Sequence, residues 1–77
     1  MLKLPKLSGK NLISILEKNG FKTIRIRGSH HFVKHLDGRC SVIPVHSNED
    51  LGPGIIVKIL RDLELTKEDL RNFIDEK

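Results

Sequence analysis

Apolar residues change their spacing along this chain in a way that divides it into six elements. After Ser8, a good helix N-cap, Leu12, Ile15 and Leu16 fall on one helical face, with Lys10, Glu17 and Lys18 elsewhere. Asn19-Gly20 then reads as a stop, with Gly20 suited to the left-handed position after a helix. From Phe21 the period becomes two. Ile24 and Ile26 alternate with Thr23, Arg25 and Arg27, which predicts a strand whose two isoleucines point toward the helices. Gly28-Ser29 is a turn, His30 to Leu36 a second strand, and Asp37-Gly38 a hairpin signal. Arg39 to Val45 is a third strand, with Pro44 marking it as an edge or an end.

The segment from His46 to Pro53 reads as a loop that ends in the first turn of a second helix, where a proline costs little. Ile56, Ile59, Leu60 and Leu63 form that helix's core stripe. Thr66 with Asp69 resembles a capping box before a short third helix, whose apolar face is Leu70, Phe73 and Ile74. Leu2, Leu4 and Leu7 are placed to cover an end of the core. The order α-β-β-β-α with a further C-terminal helix predicts an α+β fold. It is a two-layer sandwich: a three-stranded antiparallel sheet with helices on one face. With 77 residues and neither repeat nor linker, residues 1–77 read as a single domain.

The first hairpin decides which side chains meet. A two-residue Gly28-Ser29 loop sets Arg27 opposite His30, Arg25 opposite Phe32 and Thr23 opposite Lys34. Arg25, Arg27, His30 and Lys34 then share the open face, and His31 and Val33 turn inward. A loop one residue longer or shorter would reverse the faces.

Charge adds a partner class. Net charge is +4. Residues 1–46 hold nine Lys/Arg and two acids (+7), and residues 47–77 hold five and eight (−3). A basic half suggests a polyanion. The three phenylalanines are the only aromatics, which disfavours stacking of successive bases and makes phosphate contacts the main term. A domain this small buries only roughly 60% of its unfolded surface, so a polymer gripped across a face suits it better than a metabolite in a cleft. One cysteine, Cys40, allows no internal disulfide, and no apolar run approaches the ~20 residues of a membrane span. The N-terminus has no signal-like apolar segment, so the expected location is cytoplasmic.

Imidazoles and guanidiniums around Gly28-Ser29 suggest RNA cleavage. Attack by the RNA 2′-hydroxyl needs that hydroxyl deprotonated and the leaving 5′-oxygen protonated, and imidazole does either near neutrality. Arginine or lysine stabilises the charge that develops on phosphorus. A strand histidine is as readily a half-buried polar residue, and His35 and His46 read as strand-end and loop residues. Metal binding is disfavoured. His30 and His31 point to opposite faces, His31 and His35 stand roughly 13 Å apart, and no cysteine pair or HExxH is present. No cofactor is expected. Gly52-Pro53-Gly54 reads as a helix entry that can also present N–H groups to a phosphate, and Lys58 and Arg61 as solvated residues able to meet phosphates.

Several segments together carry a family resemblance: Gly20-Phe21, Arg27-Gly28-Ser29-His30-His31-Phe32, Val42-Ile43-Pro44-Val45-His46, Leu51-Gly52-Pro53-Gly54 and Ile59-Leu60-Arg61-Asp62-Leu63. This combination resembles the HicA toxins, also called YcfA-like mRNA interferases, over about residues 8–74. The resemblance implies a fold like that of a double-stranded RNA-binding domain. It also implies metal-independent cleavage of mRNA that stops translation, and silencing by a HicB-type antitoxin. It places the essential histidine of the Gly-Ser-His motif at His30, keeps His31 as the second candidate, and matches Gly28 to the motif glycine. Arg25, Arg27, Gly28, Ser29 and Lys34 are the expected RNA contacts. Two other classes remain open: a module that grips duplex RNA without cutting it, and a protein-interaction domain whose basic face docks on an acidic partner.

Overall fold

The structure, a computed structural model, describes residues 6–47 and 49–75. Helix α1 (Gly9–Glu17) is followed by strands β1 (Phe21–Arg27), β2 (His30–His35) and β3 (Cys40–Pro44), then by helices α2 (Pro53–Asp62) and α3 (Lys67–Asp75). The sheet is antiparallel in the order β1-β2-β3. The fold is the expected α+β arrangement. Leu2 and Leu4 lie outside the described residues, and Leu7 is buried in the core.

Local chemistry sets the boundaries. Ser8 caps α1 by accepting the N–H of Asn11 at its Oγ, 3.1 Å away. Thr66 and Asp69 exchange hydrogen bonds of 2.9 and 3.0 Å, closing the capping box of α3. The end of α2 is closed by a Schellman motif: Leu65 N–H donates to the Leu60 carbonyl and Glu64 N–H to that of Arg61. Glu64 holds the left-handed residue of this motif, at φ 55°. Arg39 donates from Nη1 to the Leu63 carbonyl at 3.0 Å and so joins the β2–β3 hairpin to the same helix end.

One face of the sheet carries the core. Phe21, Val33 and Ile43 from the strands meet Leu12, Leu16, Ile59 and Leu63 from the helices, all almost fully buried. The predicted α2 stripe is buried throughout. On α1 the buried set is Leu12, Ile13 and Leu16, with Ile15 at its margin. Leu70 is fully buried, so α3 is part of the core.

Strand β1 departs from the expected pattern. Ile24 and Ile26 do not pack against the helices; they are 60% and 59% exposed. The register slips at a β-bulge between Thr23 and Arg25, which leaves Ile24 without a partner. Before the bulge the inward residues are Phe21 and Thr23. After it, Ile26 faces His31 on the helix side, at an end of the sheet that the described residues leave open. The bulge also corrects one pairing, since Thr23 lies opposite Val33 and Lys22 takes the place opposite Lys34.

Candidate nucleic-acid interface

The β1–β2 turn is built by its glycine. Gly28 takes φ +59°, the positive value required at the first position of a type II′ hairpin loop. The two-residue loop sets the register, and beyond the bulge that register is the expected one: Arg27 opposite His30 and Arg25 opposite Phe32.

Extended across β3, these pairs form three rows on the face away from the helices. The first is Arg27, His30 and Pro44; the second is Arg25, Phe32 and Val42; the third is Lys22, Lys34 and Cys40. Alternate residues on a strand are roughly 6.6 Å apart, so His30 and Lys34 stand roughly 13 Å apart along β2. His30, Arg25, Arg27 and Lys34 are all exposed. Their side chains have no hydrogen-bond or ion-pair partner among the described residues. By contrast, Arg39 is paired with Asp37 at 2.8 Å and Lys58 with Asp62 at 3.0 Å. The open face thus gathers several unpaired cations beside one imidazole.

His31 lies on the opposite side, half-buried between Ile26 and Ile43. His30 and His31 thus cannot act on one phosphate from the same face. His35 also faces inward. Its ring meets Phe21 edge-on at 4.9 Å, and its Nδ1 accepts the Asp37 N–H at 3.2 Å. His35 is thereby part of the packing at the far end of the sheet.

The turn borders a second feature. Ser8, Lys10 and Asn11 at the start of α1 line a polar groove of about 530 Å³ with Val45, His46 and Asp50. Val45 N–H donates to the Ser29 carbonyl at 2.7 Å, which places this groove next to the turn. His46 is exposed and on the same end of the sheet as Gly28 and Ser29.

Two carboxylates are held below their ordinary range. Asp37 is lowered by hydrogen bonds from the Arg39 side chain and backbone. Asp62 is lowered first by the hydrogen bond from Lys58 and then by that from Ser41, against a smaller opposing effect of burial. Both stay anionic, and both are away from His30. Among the described residues, no group of three or more His, Cys, Asp or Glu is placed to hold a metal ion. None of the described helices is long and apolar enough to cross a membrane.

Sequence reasoning missed Lys22. It is the direct neighbour of Lys34 on the open face, brought there by the bulge. A period-two reading has no signal for a bulge, so it pairs the wrong residue with Lys34.

No curated protein matches the chain. A sequence profile described as "HicA toxin of bacterial toxin-antitoxin" matches residues 9–65, from the first residue of α1 to the end of the Schellman turn. That span includes the whole sheet and its histidine turn, and it covers most of the 77 residues. The chain therefore belongs to the HicA family of toxins from bacterial toxin–antitoxin systems.

Proposed function

We propose that this toxin is an endoribonuclease that cleaves mRNA with His30 as its proton-transfer residue. The observation that carries the reading is the pairing of Arg27 with His30 on a face whose cations have no partners of their own. A phosphate lying against that pair would meet a guanidinium and an imidazole together.

The reaction then follows from the chemistry of RNA. His30 takes the proton of a 2′-hydroxyl as its oxygen bonds to the adjacent phosphorus. The bond from phosphorus to the 5′-oxygen breaks, that oxygen takes a proton from water, and His30 gives its own proton back to the solvent, leaving a 2′,3′-cyclic phosphate and a free 5′-hydroxyl. Arg27 stabilises the extra negative charge on the phosphoryl oxygens in the transition state. Arg25 and Lys34 hold neighbouring phosphates, and Gly28 and Ser29 bring the backbone close to the chain. No metal takes part in this scheme. Loss of mRNA stops translation, and a HicB-type antitoxin is the partner that silences the toxin.

The test is cleavage of a defined mRNA in EDTA by wild type, His30→Ala and His31→Ala. Wild type should cut and leave 2′,3′-cyclic ends. His30→Ala should lose about 10²–10⁴-fold in rate with its melting temperature retained. Equal rates for wild type and His30→Ala overturn the assignment. RNA binding with no cutting by wild type makes the domain a binding module instead.

A further inference from the structure

The bulge residue creates a feature that phosphate binding alone does not use. Ile24 is 60% exposed on the open face. It stands with Phe32, Val42 and Cys40 around a shallow depression of about 470 Å³, with Lys34 at one side. Phe32 is the sheet's outward aromatic. Its row neighbours are Arg25 and Val42. At the β3 rim the depression reaches Asp62, whose charge is taken up by Lys58 and by the Ser41 hydroxyl, at 3.0 and 2.9 Å.

Next to this depression two like charges face each other. Lys22 and Lys34 are direct cross-strand partners, and like charges so placed repel. An anion between them would relieve the repulsion. The three rows of the face carry five basic side chains and no carboxylate. Successive rows stand roughly 6.6 Å apart, which suits an extended nucleotide chain. The row order is then imidazole and guanidinium first, apolar platform second, lysine pair third.

We infer that the platform of Ile24, Phe32 and Val42 holds one RNA base, with the phosphate beyond it between Lys22 and Lys34. This subsite rests on the reading of the open face as the RNA site. It adds to that reading a single-stranded footprint, because a base inside a duplex cannot turn its face to a sheet. It needs one aromatic side chain rather than a run of them. Charge favours RNA over a protein partner as the occupant, because the face is rich in cations and bears no carboxylate.

Binding of uncleavable probes tests it. A pentanucleotide carrying 2′-O-methyl groups throughout cannot be cut, and its abasic counterpart keeps the phosphates but lacks the bases. Wild type should bind the intact probe at least tenfold more tightly than the abasic one. Ile24→Ala and Phe32→Ala should remove most of that preference while binding the abasic probe as wild type does. Ile24 is exposed, so its variant should keep the wild-type melting temperature even if Phe32→Ala does not. Lys22→Gln combined with Lys34→Gln should weaken both probes and reduce the slope of log affinity against log salt by about 0.7, the share of one single-strand phosphate. Equal affinity of wild type for the intact and abasic probes overturns the platform. Intact-probe binding left unchanged by Ile24→Ala and Phe32→Ala also overturns it and turns the face over to protein docking. A salt slope unchanged by the double lysine variant overturns the phosphate clamp. Cleavage of the unmodified pentanucleotide is read separately, so a failure of His30 chemistry is distinguishable from a failure of the subsite.

Discussion

The Val45 N–H donates to the Ser29 carbonyl at 2.7 Å, which ties the turn that presents His30 to the chain leaving β3. The turn is thus fixed on both sides, by the Arg27–His30 pair and by this bond. In the proposed reaction the imidazole beside this turn needs such support, because small displacements from the productive geometry cost rate.

Gly28 is where that geometry is most exposed to mutation. A Cβ at this position would meet nothing within 4 Å, so the penalty for a side chain comes only from φ +59°. Gly28→Ala should lower stability by about 1–3 kcal/mol in urea unfolding. Gly28→Asn should cost less, since primed turns accept asparagine as well as glycine. Equal stability of wild type and the alanine variant would show that the turn adapts freely.

Gly9 presents the opposite case. Its backbone is ordinary, but an added Cβ would overlap the Pro44 carbonyl oxygen. The first residue of α1 is therefore packed directly on the end of β3. Gly9→Ala should destabilise by about 1–3 kcal/mol even though alanine is the better helix former. It should also disturb backbone amide shifts of Val45 and Ser29 in NMR spectra. An unchanged melting temperature would contradict this close contact.

These two glycines also show what the sequence could and could not reveal. The turn was legible because a glycine between two alternating runs has a specific backbone meaning. The α2 stripe, the Ser8 cap and the Thr66–Asp69 box were legible for the same reason, each being a short-range pattern with one geometry. The tight contact at Gly9 was not, because it depends on a residue 35 positions away. Nor was the bulge at Ile24. Two isoleucines at period two look like a core face, and the slip between Thr23 and Arg25 is visible only once the strands are paired. The site fared similarly: Arg25, Arg27, His30 and Lys34 share the expected face, whereas Lys22 joined them only through that slip.

The C-terminal helix lies beyond the residues matched to the family, yet Leu70 is fully buried against the core. Leu70→Ala should therefore cost about 2–5 kcal/mol and lower the melting temperature by many degrees. A chain ending at residue 65 should lose stability by at least as much, because Phe73 and Ile74 pack on the same cluster. A variant as stable as wild type would mean that α3 merely rests on the surface.

Asp62 provides the pH-dependent prediction. Its carboxylate accepts from the Lys58 ammonium at 3.0 Å and from the buried Ser41 hydroxyl at 2.9 Å, and these bonds lower its pKa below 3.8. The folded state therefore binds that proton less readily than the unfolded chain does. The resulting stabilisation is complete above pH 3.8 and is lost as the pH falls through the lower folded-state pKa. Asp62→Asn keeps the shape and an oxygen acceptor but removes the charge. Urea unfolding should find the variant less stable than wild type by a constant margin near neutrality, with the margin narrowing only below about pH 3.8. Asp37, lowered by Arg39, is unchanged in both proteins, so its contribution cancels in this difference. A margin that persists undiminished down to pH 2 would mean that the bonds to Lys58 and Ser41 act through packing rather than through charge.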